Sequence, residues 1–182
     1  VLLVCDEELG SFGAKYVLEN GLPVSIPKQV IIGEPTSLQV VRLHKGHLSM
    51  RVSIKGVSAH TGSPHLGKNA LAEGGKVICA LSALSLQYEA LRTDSSEHFP
   101  DVAKFPVLTV STVKSGSAIN VVPDSFELGI GMRLLPDQNK DEVVAEIKKS
   151  ITDVCELPWN LEELGDNPTM LTSENSAINK WL

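Results

Sequence analysis

His47-Leu48-Ser49-Met50-Arg51-Val52-Ser53-Ile54-Lys55 alternates polar and apolar residues without a break. Successive side chains of a strand point to opposite faces, so this stretch describes a strand with one face in a core and one in water. That is the habit of an antiparallel or mixed sheet. A small-residue loop from Gly56 to Gly67 leads to a predicted helix over 68–88, where Val77, Leu81, Leu84 and Tyr88 form one stripe. The polar stretch from Arg92 to Lys104 reads as a mobile loop. Two strands follow, 107–113 and 125–133, joined through the turn residues Ser115-Gly116-Ser117 and Asn120-Val121-Val122-Pro123-Asp124. A second helix is expected over 137–154, capped by Asp137 and buried through Val143, Ile147, Ile151 and Val154. A last strand lies at 159–164. The order β-α-β-β-α-β predicts a ferredoxin-like sandwich, two helices on one four-stranded sheet, over residues 46–164.

The flanks, 1–45 and 165–182, have a different texture. Val1-Leu2-Leu3-Val4-Cys5 and Val30-Ile31-Ile32 are apolar without alternation, which describes strands buried on both faces as in a parallel sheet. Ser11 to Asn20 supplies a helix between them, with Gly21 where a left-handed C-terminal residue is wanted. The flanks therefore read as part of a second α/β domain into which 46–164 is inserted. Val1 to Cys5 has no Met or polar leader, and 172–182 has the look of a helix just begun, so both ends are expected to lie inside folded elements.

Bulk composition narrows the partners. The chain has 182 residues, 42% hydrophobic, enough for a real core. A net charge of −6 with 4% aromatic residues argues against nucleic acid, which needs clustered cations and stacking rings. No stretch approaches the roughly 18 apolar residues of a membrane span. Cys5, Cys79 and Cys155 are odd in number and far apart, which fits reduced thiols buried as small core residues in the cytoplasm.

Asp6-Glu7-Glu8 follows one apolar run and Glu34 follows the next, the strand-end positions where ligands of open α/β sheets gather. Carboxylates crowded at neighbouring strand tips repel one another unless a cation compensates, which points to a metal. The ordinary alternative is a set of acids favoured by a helix dipole, and spacing does not choose between them. His60 is presented by the 56–64 loop, Asn120 by a turn, and Arg133 by a strand end where its guanidinium could hold a carboxylate. Each also has an ordinary surface reading, as do His44, His47 and His65.

Taken together, Cys5 to Ala14, Ile32-Gly33-Glu34-Pro35-Thr36-Ser37, His44-Lys45-Gly46, Gly56 to Ala70, Gly116 to Pro123 and Met132-Arg133-Leu134-Leu135-Pro136 resemble successive segments of the acetylornithine deacetylase and succinyl-diaminopimelate desuccinylase family. The resemblance implies a zinc-peptidase-like catalytic domain with an inserted lid and dimerisation domain. It implies two divalent cations, zinc or cobalt, with Glu8 a ligand of one and Glu34 of the other, and Glu7 as general base. His60 would reach the active site of a partner subunit and stabilise the oxyanion, while Asn120 and Arg133 grip substrate carboxylate or carbonyl groups. The expected activity is hydrolysis of a small N-acyl amino acid by a cytoplasmic homodimer, as in arginine biosynthesis. Desuccinylase, aminoacylase and carboxypeptidase activities stay open. The family's His-x-Asp segment, bridging aspartate and distal histidine are absent from these residues, so the chain alone is expected to be inactive and metal-poor. A non-catalytic dimerisation or binding module is the competing reading.

Overall fold

The computed structural model describes every residue except 9, 23, 24, 26 and 27. In chain order its elements are α1 (Phe12–Asn20), β1 (Leu43–His44), β2 (Gly46–Lys55), β3 (Ala59–His60), α2 (Ala70–Ala90), β4 (Val107–Ser115), β5 (Val121–Val122), β6 (Ser125–Leu134), α3 (Lys140–Thr152), β7 (Trp159–Asn167), β8 (Met170–Leu171) and α4 (Ala177–Trp181). Two compact units result, residues 42–172 and residues 1–41 with 173–182.

The larger unit is built on a four-stranded sheet of order β4-β6-β2-β7, antiparallel at each pairing. The alternation in β2 sets its register. Leu48, Met50, Val52 and Ile54 are buried with Phe126, Leu128, Ile130 and Met132 of the adjacent β6, beneath the apolar stripes of α2 and α3. Arg51 and Lys55 stay exposed on the opposite face. Burying the four β2 side chains is worth on the order of 6–12 kcal/mol as an upper bound. The exposed Arg51–Glu162 pair across β2 and β7, at 3.4 Å, contributes about 1 kcal/mol at most. Apolar burial, not charge, therefore holds the register. The expected β-α-β-β-α-β order is the one observed. The sheet unit extends beyond 46–164 because β7 runs to Asn167 and because β1 pairs with β8, Leu43 opposite Leu171 and His44 opposite Met170.

The long helices bury Val77, Leu81, Leu84 and Tyr88 of α2 and Val143, Ile147 and Ile151 of α3 as predicted, whereas Val154 lies past the end of α3 and is only half-buried. The helices are tied together where Tyr88 Oη donates to Glu146 Oε2 at 2.5 Å. Burial and the neighbouring carboxylate push the Tyr88 phenol above its ordinary range. Gly74 is where α2 comes closest to the sheet, for a Cβ there would lie 2.4 Å from the Phe126 ring.

Asp137 does not cap α3. Asn139 does, accepting from the backbone N–H of Asp141 at 2.8 Å. Asp137 instead accepts from Thr93 Oγ1 and Ser95 Oγ, both at 2.7 Å, and from the Ser95 N–H at 2.9 Å. Its three donors organise the stretch read as a mobile loop into 3-10 turns at Asp94–His98 and Asp101–Ala103, with Ser95 and Ser96 buried. Desolvation, the largest single influence, would raise the Asp137 pKa, but the donated hydrogen bonds outweigh it and hold the carboxyl below the ordinary aspartate range.

The smaller unit corrects the sequence reading. Neither Val1 to Cys5 nor Val30 to Ile32 forms a strand, and all eight of these side chains are exposed. A strand buried on both faces exists only between neighbouring strands and under helices, and among the described residues neither run has a ladder partner. The predicted βαβ unit is thus absent there. Helix α1 does form and ends at Gly21 with φ 80°. Helix α4 is capped by Ser176, whose Oγ accepts from the Asn179 N–H at 3.3 Å. The cysteines are free as expected but are not core residues, for Cys5 and Cys79 are exposed and Cys155 is half-buried. No described helix is long and apolar enough to cross a membrane.

Two stability predictions follow from these contacts. Gly74→Ala should lower the urea midpoint by the equivalent of about 1–3 kcal/mol through overpacking on Phe126, although alanine favours helix by about 1 kcal/mol; an unchanged or higher midpoint would refute the close approach. Asp137→Ala should cost about 1–2 kcal/mol near neutral pH, the low end for a charged acceptor because the residue is solvent-accessible. A depressed carboxyl stabilises above its unfolded range and loses that contribution as pH falls through the folded value. The gap between variant and parent should therefore narrow at about pH 3, and a constant gap would sink this account.

Candidate functional site

The 56–70 loop is pinned to the 120–124 segment by backbone hydrogen bonds. Gly56 N–H donates to the Asp124 carbonyl at 2.7 Å, Thr61 N–H to Asn120 at 3.0 Å and Ala70 N–H to Pro123 at 2.9 Å. The loop also closes on itself, since Val57 and Lys68 exchange bonds of 2.9 and 2.8 Å. Only glycine fits at 56, where a Cβ would stand 2.1 Å from the Lys68 carbonyl oxygen.

Between these pins lies the short β3–β5 ladder, with Ala59 opposite Val122 and His60 opposite Val121. It sets the strand that carries His60 beside the segment that follows Asn120, whose backbone carbonyl accepts from Thr61, a neighbourhood the sequence could not show. Residues directly opposite in an antiparallel pair share a face, so Ala59 and the buried Val122 turn inward while His60 and Val121 face the other way. His60 Nδ1 accepts from the Gly62 N–H at 3.0 Å. In the neutral ring the proton is then on Nε2, which is left as an exposed donor. The Asn120 side chain is exposed and makes no hydrogen bond with the described residues. Each presents an exposed polar group to solvent, an imidazole N–H from His60 and an amide from Asn120.

Arg133 lies elsewhere. The His60 loop joins the sheet at the Ser125 end of β6, and Arg133 pairs with His47 near the other end. At about 3.4 Å per residue the two positions are about 27 Å apart. The Arg133 end is cationic. Burial first and Arg133 second depress both the Lys45 and the His47 pKa. Lys45 Nζ donates to the Phe105 carbonyl at 2.5 Å and sits over the Phe99 and Phe105 rings. Arg133 itself makes no hydrogen bond or ion pair with the described residues and is exposed.

In the smaller unit Glu7, Glu8 and Glu34 are exposed. Asp6 to Glu8 precede α1 in a turn, where the Glu7 carbonyl accepts from Gly10 at 3.1 Å. The first turn of α1 holds no acidic residue, so the helix-dipole explanation for these acids does not apply. Among the described residues no group of three or more His, Cys, Asp or Glu side chains converges as a metal site would need. Glu8 and Glu34 suit a divalent cation as oxygen donors, but one carboxylate per metal does not complete a zinc site of three or four protein ligands. The residues present thus do not form a closed metal centre.

Sequence reasoning missed two features of the His60 region. One is the β3–β5 ladder, signalled only by the β-branched pair Val121-Val122 inside what looked like a turn. The other is a cleft of about 550 Å³ beside it, lined by residues that include Thr61, Pro64, Leu71, Ile119, Val121 and Pro123.

Comparison with known proteins places this architecture. Residues 42–156 match the peptidase dimerisation domain. A protein named "Probable carboxypeptidase" from Ajellomyces dermatitidis is 35% identical over 156 residues, 84% of this chain and 35% of the relative. The acetylornithine deacetylase of Myxococcus xanthus is 34% identical over 143 residues, 79% of this chain and 36% of the relative. In fold, the aminobenzoyl-glutamate utilization protein from Klebsiella pneumoniae superposes with a TM-score of 0.54 at 21% identity, over 71% of this chain and 30% of that one. The chain thus spans 35–36% of the length of these two curated relatives. The match over most of the sheet unit, together with the ordered segments around His60, Asn120 and Arg133, means that this chain belongs to the acetylornithine deacetylase and desuccinylase family through its peptidase dimerisation domain.

Proposed function

We propose that the protein carrying this chain is a metal-dependent amidohydrolase that removes the acyl group from a small N-acyl amino acid, in the manner of an acetylornithine deacetylase. The observation that carries the reading is His60, whose Nδ1 accepts from the Gly62 N–H so that the neutral ring presents an exposed Nε2 donor. That arrangement suits the oxygen of an amide carbonyl as it takes on negative charge, where a positioned donor is worth about 10²–10³ in rate. In the whole protein Glu8 and Glu34 would each give one carboxylate to a pair of divalent cations, zinc being the first choice, and Glu7 would serve as the general base. Bound divalent cations would supply an acidified water and a polarised carbonyl. The setting is the cytoplasm, and desuccinylase, aminoacylase and carboxypeptidase activities are the alternatives within the family.

The separation of Arg133 from His60 and Asn120 supports a dimeric site. No small N-acyl amino acid can bridge about 27 Å of strand. Two copies solve this if each active site takes His60 and Asn120 from one lid domain and Arg133, gripping a substrate carboxylate, from the other. The surface for such pairing is the outer edge of β4, where Thr109, Ser111 and Val113 are exposed and Lys114 is the one charged residue of the strand, with Gly75, Cys79 and Leu86 exposed along one face of α2. Unblocked edges invite pairing with another chain, whereas the β7 edge carries Glu163 and Asp166 bound to Lys140 at 3.1 and 3.0 Å.

Two experiments test this. In the metal-loaded whole protein, His60→Ala should lower kcat for N-acetyl amino acids by about 10²–10³ and Glu7→Gln should abolish turnover with metal content retained; full activity of either variant would defeat the assignment. Combining Leu86→Glu with Val113→Lys should convert the dimer to monomer in sedimentation velocity, and a persistent dimer would place the interface elsewhere.

A further inference from the structure

The chain passes between its two compact units at two points, 41–42 and 172–173. Both crossings run into the same short ribbon, β1 paired with β8, where the Thr172 N–H donates to the Arg42 carbonyl at 2.7 Å. A two-stranded ribbon is marginal by itself in water, so one with two residues per strand needs support from outside. Arg42 supplies part of it. Its half-buried guanidinium donates to the Thr172 carbonyl through one nitrogen, at 3.0 Å, and to His98 Nδ1 through another, at 3.1 Å. A guanidinium has donors only, so Nδ1 is the acceptor. Three residues on, Lys45 Nζ donates to the Phe105 carbonyl and lies 5.7 and 5.5 Å from the Phe99 and Phe105 ring centres. The first residues of the sheet unit are thus tied to 98–105, and the beginning of the same segment is held by Asp137 through Thr93 and Ser95.

We propose that residues 92–105 act as a clasp on the β1–β8 ribbon, with His98 and Phe105 as its grips and Asp137 as its anchor, and that the clasp sets how readily the ribbon opens. Any reorientation of one unit against the other has to bend this ribbon, since both crossings pass through it. One planar group does two jobs in the grip, for Arg42 fastens its own strand both to the opposite strand and to the clasp, and losing it loosens both. The clasp is stiff enough to transmit a pull. Ser95 and Ser96 are buried, the Thr93 N–H donates to Ser96 Oγ at 2.9 Å and the Ser96 N–H returns to the Thr93 carbonyl at 3.0 Å. A single 3-10 turn, Asp94–His98, therefore connects the anchor to the grip. The device is independent of the deacylase reading, because it concerns backbone opening and uses none of the residues assigned to the chemistry.

Hydrogen exchange of the whole protein, followed by mass spectrometry on peptides that contain 42–45 or 170–172, reads the opening of the ribbon. His98→Ala should speed exchange there about tenfold, as expected for the loss of one hydrogen bond from a charged donor near the surface, while peptides from β2 and β6 keep their parent rates. His98→Asn leaves an amide oxygen as acceptor close to where Nδ1 stood and should restore the parent rate. Asp137→Ala should also speed the ribbon, and its effect should shrink when His98 is already alanine, because the link from anchor to ribbon is then cut. Ribbon exchange that His98→Ala leaves unchanged, or speeds only in step with β2 and β6, would overturn the clasp. So would an Asp137→Ala effect of equal size in both backgrounds.

Discussion

The antiparallel ladder between β2 and β6, running from Gly46 opposite Leu134 to Lys55 opposite Ser125, is the interaction on which the sheet unit depends. Its side-chain period of two commits Leu48, Met50, Val52 and Ile54 to one face, and a slip of one residue would send all four into water. With the register set, α2 and α3 have one apolar surface to cover, and each helix must then cross over a strand to reach the next. The split connectivity is a consequence: β6 lies between β2 and β4, and β2 lies between β6 and β7.

The same ladder spaces the functional candidates. Because β6 pairs with β2 along its whole length, its two ends are held apart, with the β3–β5 ladder that carries His60 near one and the Lys45–His47–Arg133 cluster near the other. Each end has different chemistry. The first offers neutral donors; the second offers cations that have no carboxylate partner among the described residues, suited to an anion. In the proposed dimeric site this spacing would require a second copy, and the edge of β4 and the open face of α2 are the surface offered for it.

Local rules and tertiary contacts divided the control of detail. Helix stripes and the positive φ at Gly21 follow from short-range patterns and were readable. Asp137 was misread because an aspartate before a helix is an ordinary cap, and only the fold showed that residues 93–95, more than forty positions away in the chain, bring it three donors. Cys79 was misread for the opposite reason: a small apolar residue in a buried helix is expected inside, but its position on the outer face of α2 leaves it in solvent.

From the sequence alone came the alternating strand, the two amphipathic helices, the β-α-β-β-α-β order and the ordered segments that marked the family. These are properties of period and spacing, and period is set residue by residue. Tertiary structure alone decided that the His60 strand pairs with Val121-Val122, and that Arg133 stands at the far end of the sheet from it. Those facts depend on which backbone groups pair across sixty residues of intervening chain, and no local pattern encodes a pairing partner. For the apolar runs at Val1 to Cys5 and Val30 to Ile32 the same limit worked in reverse: composition can mark a segment as able to join a buried sheet, but a strand comes into being only when a neighbouring strand takes up its hydrogen bonds.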